Sequence, residues 1–193
     1  MKKYFTISVL VSLLSLTVRP CGAASISNGP SGEVCPGQVV NSEMFIGEHR
    51  DVKVEFVTCP QTKRTLGNRA IELRQTPPTN VCGQQCNTNC FTPSGGGPDP
   101  NECHIIADAL RFDSENIGAI FPIGTGTNNT IVMTFRSCKT FFVNHDLGDL
   151  AYCRTDWADV LDFVAFNCQA PQNAHGGNCV AADQRWFIQA QHS

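Results

Sequence analysis

Residues 81–103 read VCGQQCNTNCFTPSGGGPDPNEC. Cys82, Cys86, Cys90 and Cys103 stand here, four of the chain's 11 cysteines. A Pro/Gly-rich break follows them, and then the start of a helix. The chemistry of these thiols decides the kind of fold. A zinc site would need a second Cys/His pair to complete the set, and none follows at zinc spacing. A redox centre would use C-x-x-C, which the chain lacks. Disulfides are the remaining reading, and they require an oxidising compartment.

The N-terminus supplies that compartment. It reads MKKYFTISVLVSLLSLTVRPCGAA, with Lys2 and Lys3 ahead of an apolar run over 5–18 and small residues at Gly22-Ala23-Ala24. This pattern predicts a secretory signal peptide over 1–24. The run is shorter than the roughly 20 apolar residues that span a bilayer, so the mature chain is expected to be extracellular with no membrane span. Cleavage removes Cys21 and leaves an even set: Cys35, Cys59, Cys82, Cys86, Cys90, Cys103, Cys138, Cys153, Cys168 and Cys179. It also removes Lys2, Lys3 and Arg19, so the net charge of −3 becomes −6. An acidic chain is a poor partner for nucleic acid or anionic membrane surfaces, which need clustered Lys and Arg.

Between the leader and the cysteine knot, 25–78 reads as a small β-rich appendage. Residues 25–34 are polar and Gly/Pro-rich, a loose arm. The stretch 51–58, DVKVEFVT, alternates apolar and charged residues, as a half-buried strand does; 70–74, AIELR, alternates likewise. Cys35 and Cys59 are the cysteines of this segment, so they form the simplest pair. The segment is charge-neutral, whereas 82–193 carries five basic and eleven acidic residues. That shift, with Pro77-Pro78, sets the boundary. The appendage is too short to build a large core alone and is expected to pack on the domain over 82–193.

In 82–193 two helices stand out. Asp99 suits an N-cap, Pro100 the first helical position and Glu102 the acid of a capping box. Cys103, Ile106, Ala107 and Leu110 make its apolar stripe, widened by Ile105 and Ala109. The helix is expected to end near 113–116. The second helix is expected to start at Thr155 with Asp156 in its first turn. Trp157, Val160, Leu161, Val164 and Ala165 then form a stripe that runs to about Asn167. Strands are expected over 118–123, over 130–136 and 140–144 as one strand bent at Ser137-Cys138, and over 178–182 and 185–189. The order is αββαββ, so the fold class is α+β, disulfide-rich, with helices on a mostly antiparallel sheet. The pairing of the eight cysteines beyond residue 80 stays open.

Candidate sites are few. His145 or His175 with Asp146 would suit acid–base chemistry, but no catalytic constellation surrounds them, so no enzyme is expected. Asp156, Asp159 and Asp162 lack a calcium-loop pattern and read as a solvated helix face. No metal or cofactor is implied. Asn128-Asn129-Thr130 is an N-glycosylation sequon in a turn, with Asn128 the acceptor. For ligand recognition, polar groups beside aromatics matter most. Trp186 with Gln184 and Arg185, and Phe142 with Asn144 and Asp146, are candidates for a sugar site, against the alternative that both rings are sheet-face core.

The runs CNTNCFTPSGGGPDPNECHIIADAL, SCKTFFVN, YCRTDWADVLDFVAFNC and GGNCVAADQRWFIQAQHS resemble small secreted mushroom (basidiomycete) glycan-binding, lectin-like proteins of the αββαββ type, over about 82–193. The resemblance lies in cysteine placement, a C-x-x-D-W helix start and a W-F-x-Q-x-x-H-S end. It implies a fungal, extracellular, non-enzymatic protein whose partners are glycans or glycoproteins, and it leaves 25–81 outside. A second similarity is to secreted fungal effectors of the necrosis-inducing type, which implies a host or competitor target instead.

Overall fold

The structure is a computed structural model, and it describes residues 33–60 and 77–193. The leader over 1–24, most of the polar arm and the strand expected at 70–74 lie outside the described residues.

Two hairpin strands come first, β1 (Val39–Ile46) and β2 (Val52–Thr58). β3 (Thr79–Asn80) and β4 (Cys86–Cys90) precede α1 (Pro100–Asn116). Then come β5 (Ile120–Ile123), β6 (Thr130–Phe135), β7 (Cys138–Asn144) and β8 (Leu150–Cys153). α2 (Arg154–Asn167), β9 (Gly177–Ala181) and β10 (Trp186–His192) complete the chain. The large sheet is antiparallel with strand order β1-β2-β6-β7-β10-β9-β4, and a small sheet runs β3-β8-β5. α1 and α2 pack on each other and on one face of the large sheet. The N-terminal hairpin is continuous with this sheet, because β2 pairs with β6 from Lys53↔Thr134 to Val57↔Thr130.

Alternation explains the two faces. On the helix side lie Val52, Val54, Ile131, Met133, Phe142, Trp186 and Ile188, packed with Ile106, Leu110, Leu161 and Val164 of the helices. Val57, Val132, Phe141, Val143 and Phe187 point the other way and form a second cluster with Val34. Central strands are therefore apolar on both faces, which is why 186–190 does not alternate in sequence.

Both helices form where their stripes predict, with local differences. Asp99 caps α1, its side chain accepting from the Asn101 N–H at 2.9 Å. Glu102 does not close a capping box. It accepts instead from the Ser137 N–H at 2.9 Å and the Ser137 hydroxyl at 2.5 Å, tying the helix start to the β6–β7 turn. Ile105 is 39% exposed, so the stripe is narrower than expected. α2 begins at Arg154, with Cys153 and not Thr155 at the cap. Cys153 ends β8 and is bridged to Cys82, so the strand and its disulfide set where the helix can start. β6 and β7 are two strands of a tight hairpin rather than one bent strand; Arg136 takes a φ of 49° at the turn.

Five disulfides join these parts: Cys35–Cys59, Cys82–Cys153, Cys86–Cys179, Cys90–Cys168 and Cys103–Cys138. Cys103–Cys138 staples α1 to β7. The other three knot cysteines tie the edge strand β4 and its approach to β8, β9 and the end of α2. Each is worth about 2–4 kcal/mol, and five together suit an oxidising, extracellular setting. Gly177 lets β4 come close: a Cβ there would stand 2.6 Å from the Asn89 carbonyl oxygen. Among the described residues no helix is long and apolar enough to cross a membrane.

Candidate functional site

An aromatic cluster fills the junction between the two sheets and α2. Trp186 stacks on Phe142, with centroids 5.4 Å apart and planes at 20°, and Tyr152 lies 4.9 Å from Trp186. Trp157 packs against Phe142 from the other side, its indole N–H donating to the Thr140 hydroxyl at 3.1 Å. Trp186 and Phe142 are both 0% exposed, so neither ring offers a face to a sugar. Of the two readings open for them, sugar platform or sheet-face core, the structure has the core one, because their strand register turns them inward toward α2.

The polar residues expected beside them form a structural lattice. Asn144, 1% exposed, donates to the carbonyls of Gly124 and Gly148 and accepts from the Asp146 N–H. Arg185 bridges Asp183 at 2.7 Å and Asp146 at 3.2 Å. The Asp183 hydrogen bond holds the Arg185 guanidinium above its ordinary pKa, and that guanidinium holds the Asp183 carboxyl below its own. Gln184 is an exposed turn residue at φ 61°. These groups fasten the β7–β8 loop to the β9–β10 turn. His145 sits beside them, its ring edge-on to Phe187, with burial lowering its pKa. His175 packs instead near Phe91, its Nδ1 2.5 Å from the Pro93 carbonyl oxygen.

The accessible site lies on the far side of Trp186. Its indole N–H donates to the Gln84 side-chain oxygen at 3.2 Å, which fixes the amide of a residue in the cysteine knot. Gln84 borders one of two adjoining shallow depressions, about 300 and 270 Å³, that run between the β4 side and α2. Cys86, Asp159 and Val160 line both, so the two form one groove. The Cys86–Cys179 bridge and Tyr152 contribute to its lining. Gly83, Gln84, Gln85 and Thr88 belong to one wall, and Asp156, Asp159, Val160 and Phe163 to the other.

Each group has a definite state. The Gly83 N–H donates to Asp156 Oδ2 at 2.6 Å, clamping the knot loop to the first turn of α2. Tyr152 is 1% exposed and lines the groove, and no side-chain hydrogen bond joins its hydroxyl to another described residue. Burial, with Asp156 and Asp159 nearby, pushes the phenol well above its ordinary pKa, so it stays a neutral donor. Asp159 accepts from Arg111 at 2.9 Å, and Arg111 also reaches Asp108 and Asp162. His104 joins the network through Asp162 at 3.0 Å. Exposed Phe163 and Phe166 flank it, 56% and 48% exposed. The aspartate stripe stays solvent-accessible, the Asp159 side chain being 73% exposed; Asp156 and Asp159 line the groove, and Asp159 and Asp162 pair with Arg111.

Carboxylates and the Gln84 oxygen accept, while the Tyr152 hydroxyl and side-chain amides donate. Val160, Phe163 and the disulfide give apolar surface. Cys82, Cys153 and Asp156 are close enough to suggest a metal group, but the two sulfurs are bonded to each other at 2.07 Å. Asn128 is exposed in a 3-10 turn, its side-chain oxygen accepting from Thr58 at 2.7 Å and from Asn41 at 3.3 Å.

Sequence reasoning named the knot but not the groove. Its walls are some 70 residues apart in the chain and meet through Cys82–Cys153, separation 71, and Cys86–Cys179, separation 93. Gly83-Gln84-Gln85 between two cysteines was the available signal; without the pairing it pointed nowhere. No protein-family model matches the chain. No curated protein matches it significantly either.

Proposed function

We propose that this is a secreted, non-enzymatic glycan-binding protein, with the β4–α2 groove as its binding site. One observation carries the reading: Tyr152, buried but for its edge on the groove, has no side-chain hydrogen bond from its hydroxyl to another described residue, and the same groove holds two carboxylates, a fixed glutamine amide and an exposed phenylalanine. Sugars need this mixture, because their hydroxyls both donate and accept and their C–H faces pack on apolar rings. Support also comes from the resemblance of 82–193 to lectin-like mushroom proteins. Four strands, β5 to β8, lie between the helices where αββαββ expects two; the β6–β7 and β9–β10 hairpins are the part of the order that keeps to it.

The test is a glycan array with the refolded, oxidised chain, wild type against Tyr152→Phe and Phe163→Ala. Tyr152→Phe keeps the ring and removes the hydroxyl alone. Saturable binding that weakens about three- to tenfold in Tyr152→Phe is expected for one lost hydrogen bond. Binding untouched by both substitutions removes the groove from consideration, and a blank array at high protein concentration removes glycan binding.

A further inference from the structure

We infer that the groove selects amino sugars bearing a free, protonated amine; this rests on the glycan reading above and narrows it to a ligand class. Among the described residues, Asp156 and Asp159 are the charged groups that line the two depressions, and no Lys, Arg or His lines either. Arg111, the neighbouring cation, pairs with the groove-lining Asp159 and is shared with Asp108 and Asp162. One guanidinium and the His104 imidazole stand against four carboxylates, Asp108, Asp156, Asp159 and Asp162, so the local field is negative. Asp156 spends one oxygen, Oδ2, on the Gly83 N–H and keeps Oδ1 for a ligand.

The unpartnered Tyr152 hydroxyl is the independent observation. Tyr152 is 1% exposed and lines the groove beside Asp156 and Asp159; burial first, and then the two aspartates, raise its pKa. A neutral phenol both donates and accepts, so its oxygen can join two carboxylate oxygens as an acceptor set for an ammonium, which brings donors and no acceptor. Phe163 at the rim adds a ring face to which a cation is drawn. An N-acetylated sugar replaces that cation with a neutral amide and gains only ordinary hydrogen bonds. A sialylated, uronic or sulfated sugar brings a like charge into the groove and is repelled.

The experiment is calorimetric titration of the oxidised protein with three probes: the glucosamine tetramer, the N-acetylglucosamine tetramer of equal length, and a sialylated oligosaccharide. At a pH that protonates the amine, the glucosamine tetramer is expected to bind about tenfold more tightly than its N-acetylated counterpart, and the sialylated probe not at all. The preference should shrink with added salt. It should also fall in Asp159→Asn, with the glucosamine tetramer losing more affinity than the N-acetylated one. Equal affinity for the two tetramers, or preference for the sialylated probe, overturns the charge inference and leaves glycan binding standing. No binding of any probe, with a blank array, overturns both.

Discussion

The indole N–H of Trp186 meets the side-chain oxygen of Gln84 at 3.2 Å, across 102 residues of sequence. This bond links the aromatic core to the cysteine knot. Trp186 thus acts on the groove from behind. It backs Tyr152 and holds Gln84 in place without touching a ligand. Trp186→Ala would empty a fully buried site and is expected to destabilise the protein by about 3–5 kcal/mol, read from urea unfolding. Its loss of glycan binding would then report on folding. Gln84→Ala, by contrast, should leave stability within about 1–2 kcal/mol of wild type and weaken binding directly.

Arg154 is a second buried anchor. It is 9% exposed, its guanidinium donates to the carbonyls of Gly118 and Ile120, and it lies 4.0 Å from the Phe121 ring centre. Removing it strands two carbonyls between α1 and β5. Arg154→Ala should therefore cost about 2–5 kcal/mol by denaturant unfolding. Arg154→Lys should recover only part, since an ammonium lacks the planar fork.

Acid stability should depend on Glu102. Hydrogen bonds from the Ser137 hydroxyl and N–H hold its carboxyl below the ordinary value of 4.5. A depressed folded pKa means that the stabilisation is fully present above the unfolded value and is lost as pH falls through the folded one. Thermal melts should show wild type losing midpoint below about pH 4.5 more steeply than Glu102→Gln. Parallel curves for the two proteins would place the acid sensitivity elsewhere.

The disulfide pattern can be read from peptides of the unreduced protein. Mass spectrometry should recover Cys35–Cys59, Cys82–Cys153, Cys86–Cys179, Cys90–Cys168 and Cys103–Cys138. A Cys82–Cys86 or Cys86–Cys90 link would break the groove, since both walls depend on bridges to β8 and β9.

What the sequence revealed depends on the range of each interaction. The α1 cap at Asp99 and both helical stripes are local, and they were legible. So was Cys35–Cys59, the pair in its own segment. β8 was hidden because 150–153 is four residues long and runs straight into a helix. Trp186 and Phe142 stayed open between sugar platform and core because an aromatic beside polar residues looks the same in sequence whether it faces solvent or a helix. Pairing and register decide that, and both are long-range. The groove needed three such facts at once: the bridges of Cys82 and Cys86, the inward turn of Trp186, and the rotation of α2 that presents Asp156, Asp159, Val160 and Phe163 together.

The most direct test is an amide chemical-shift titration of the labelled, oxidised protein with the strongest glycan from the array. Saturable shifts should concentrate at 83–88 and 156–163 and shrink in Tyr152→Phe. Shifts concentrated instead at Asp146, Asp183 and Arg185, with the groove silent, would contradict the site; the absence of any saturable shift would contradict the function.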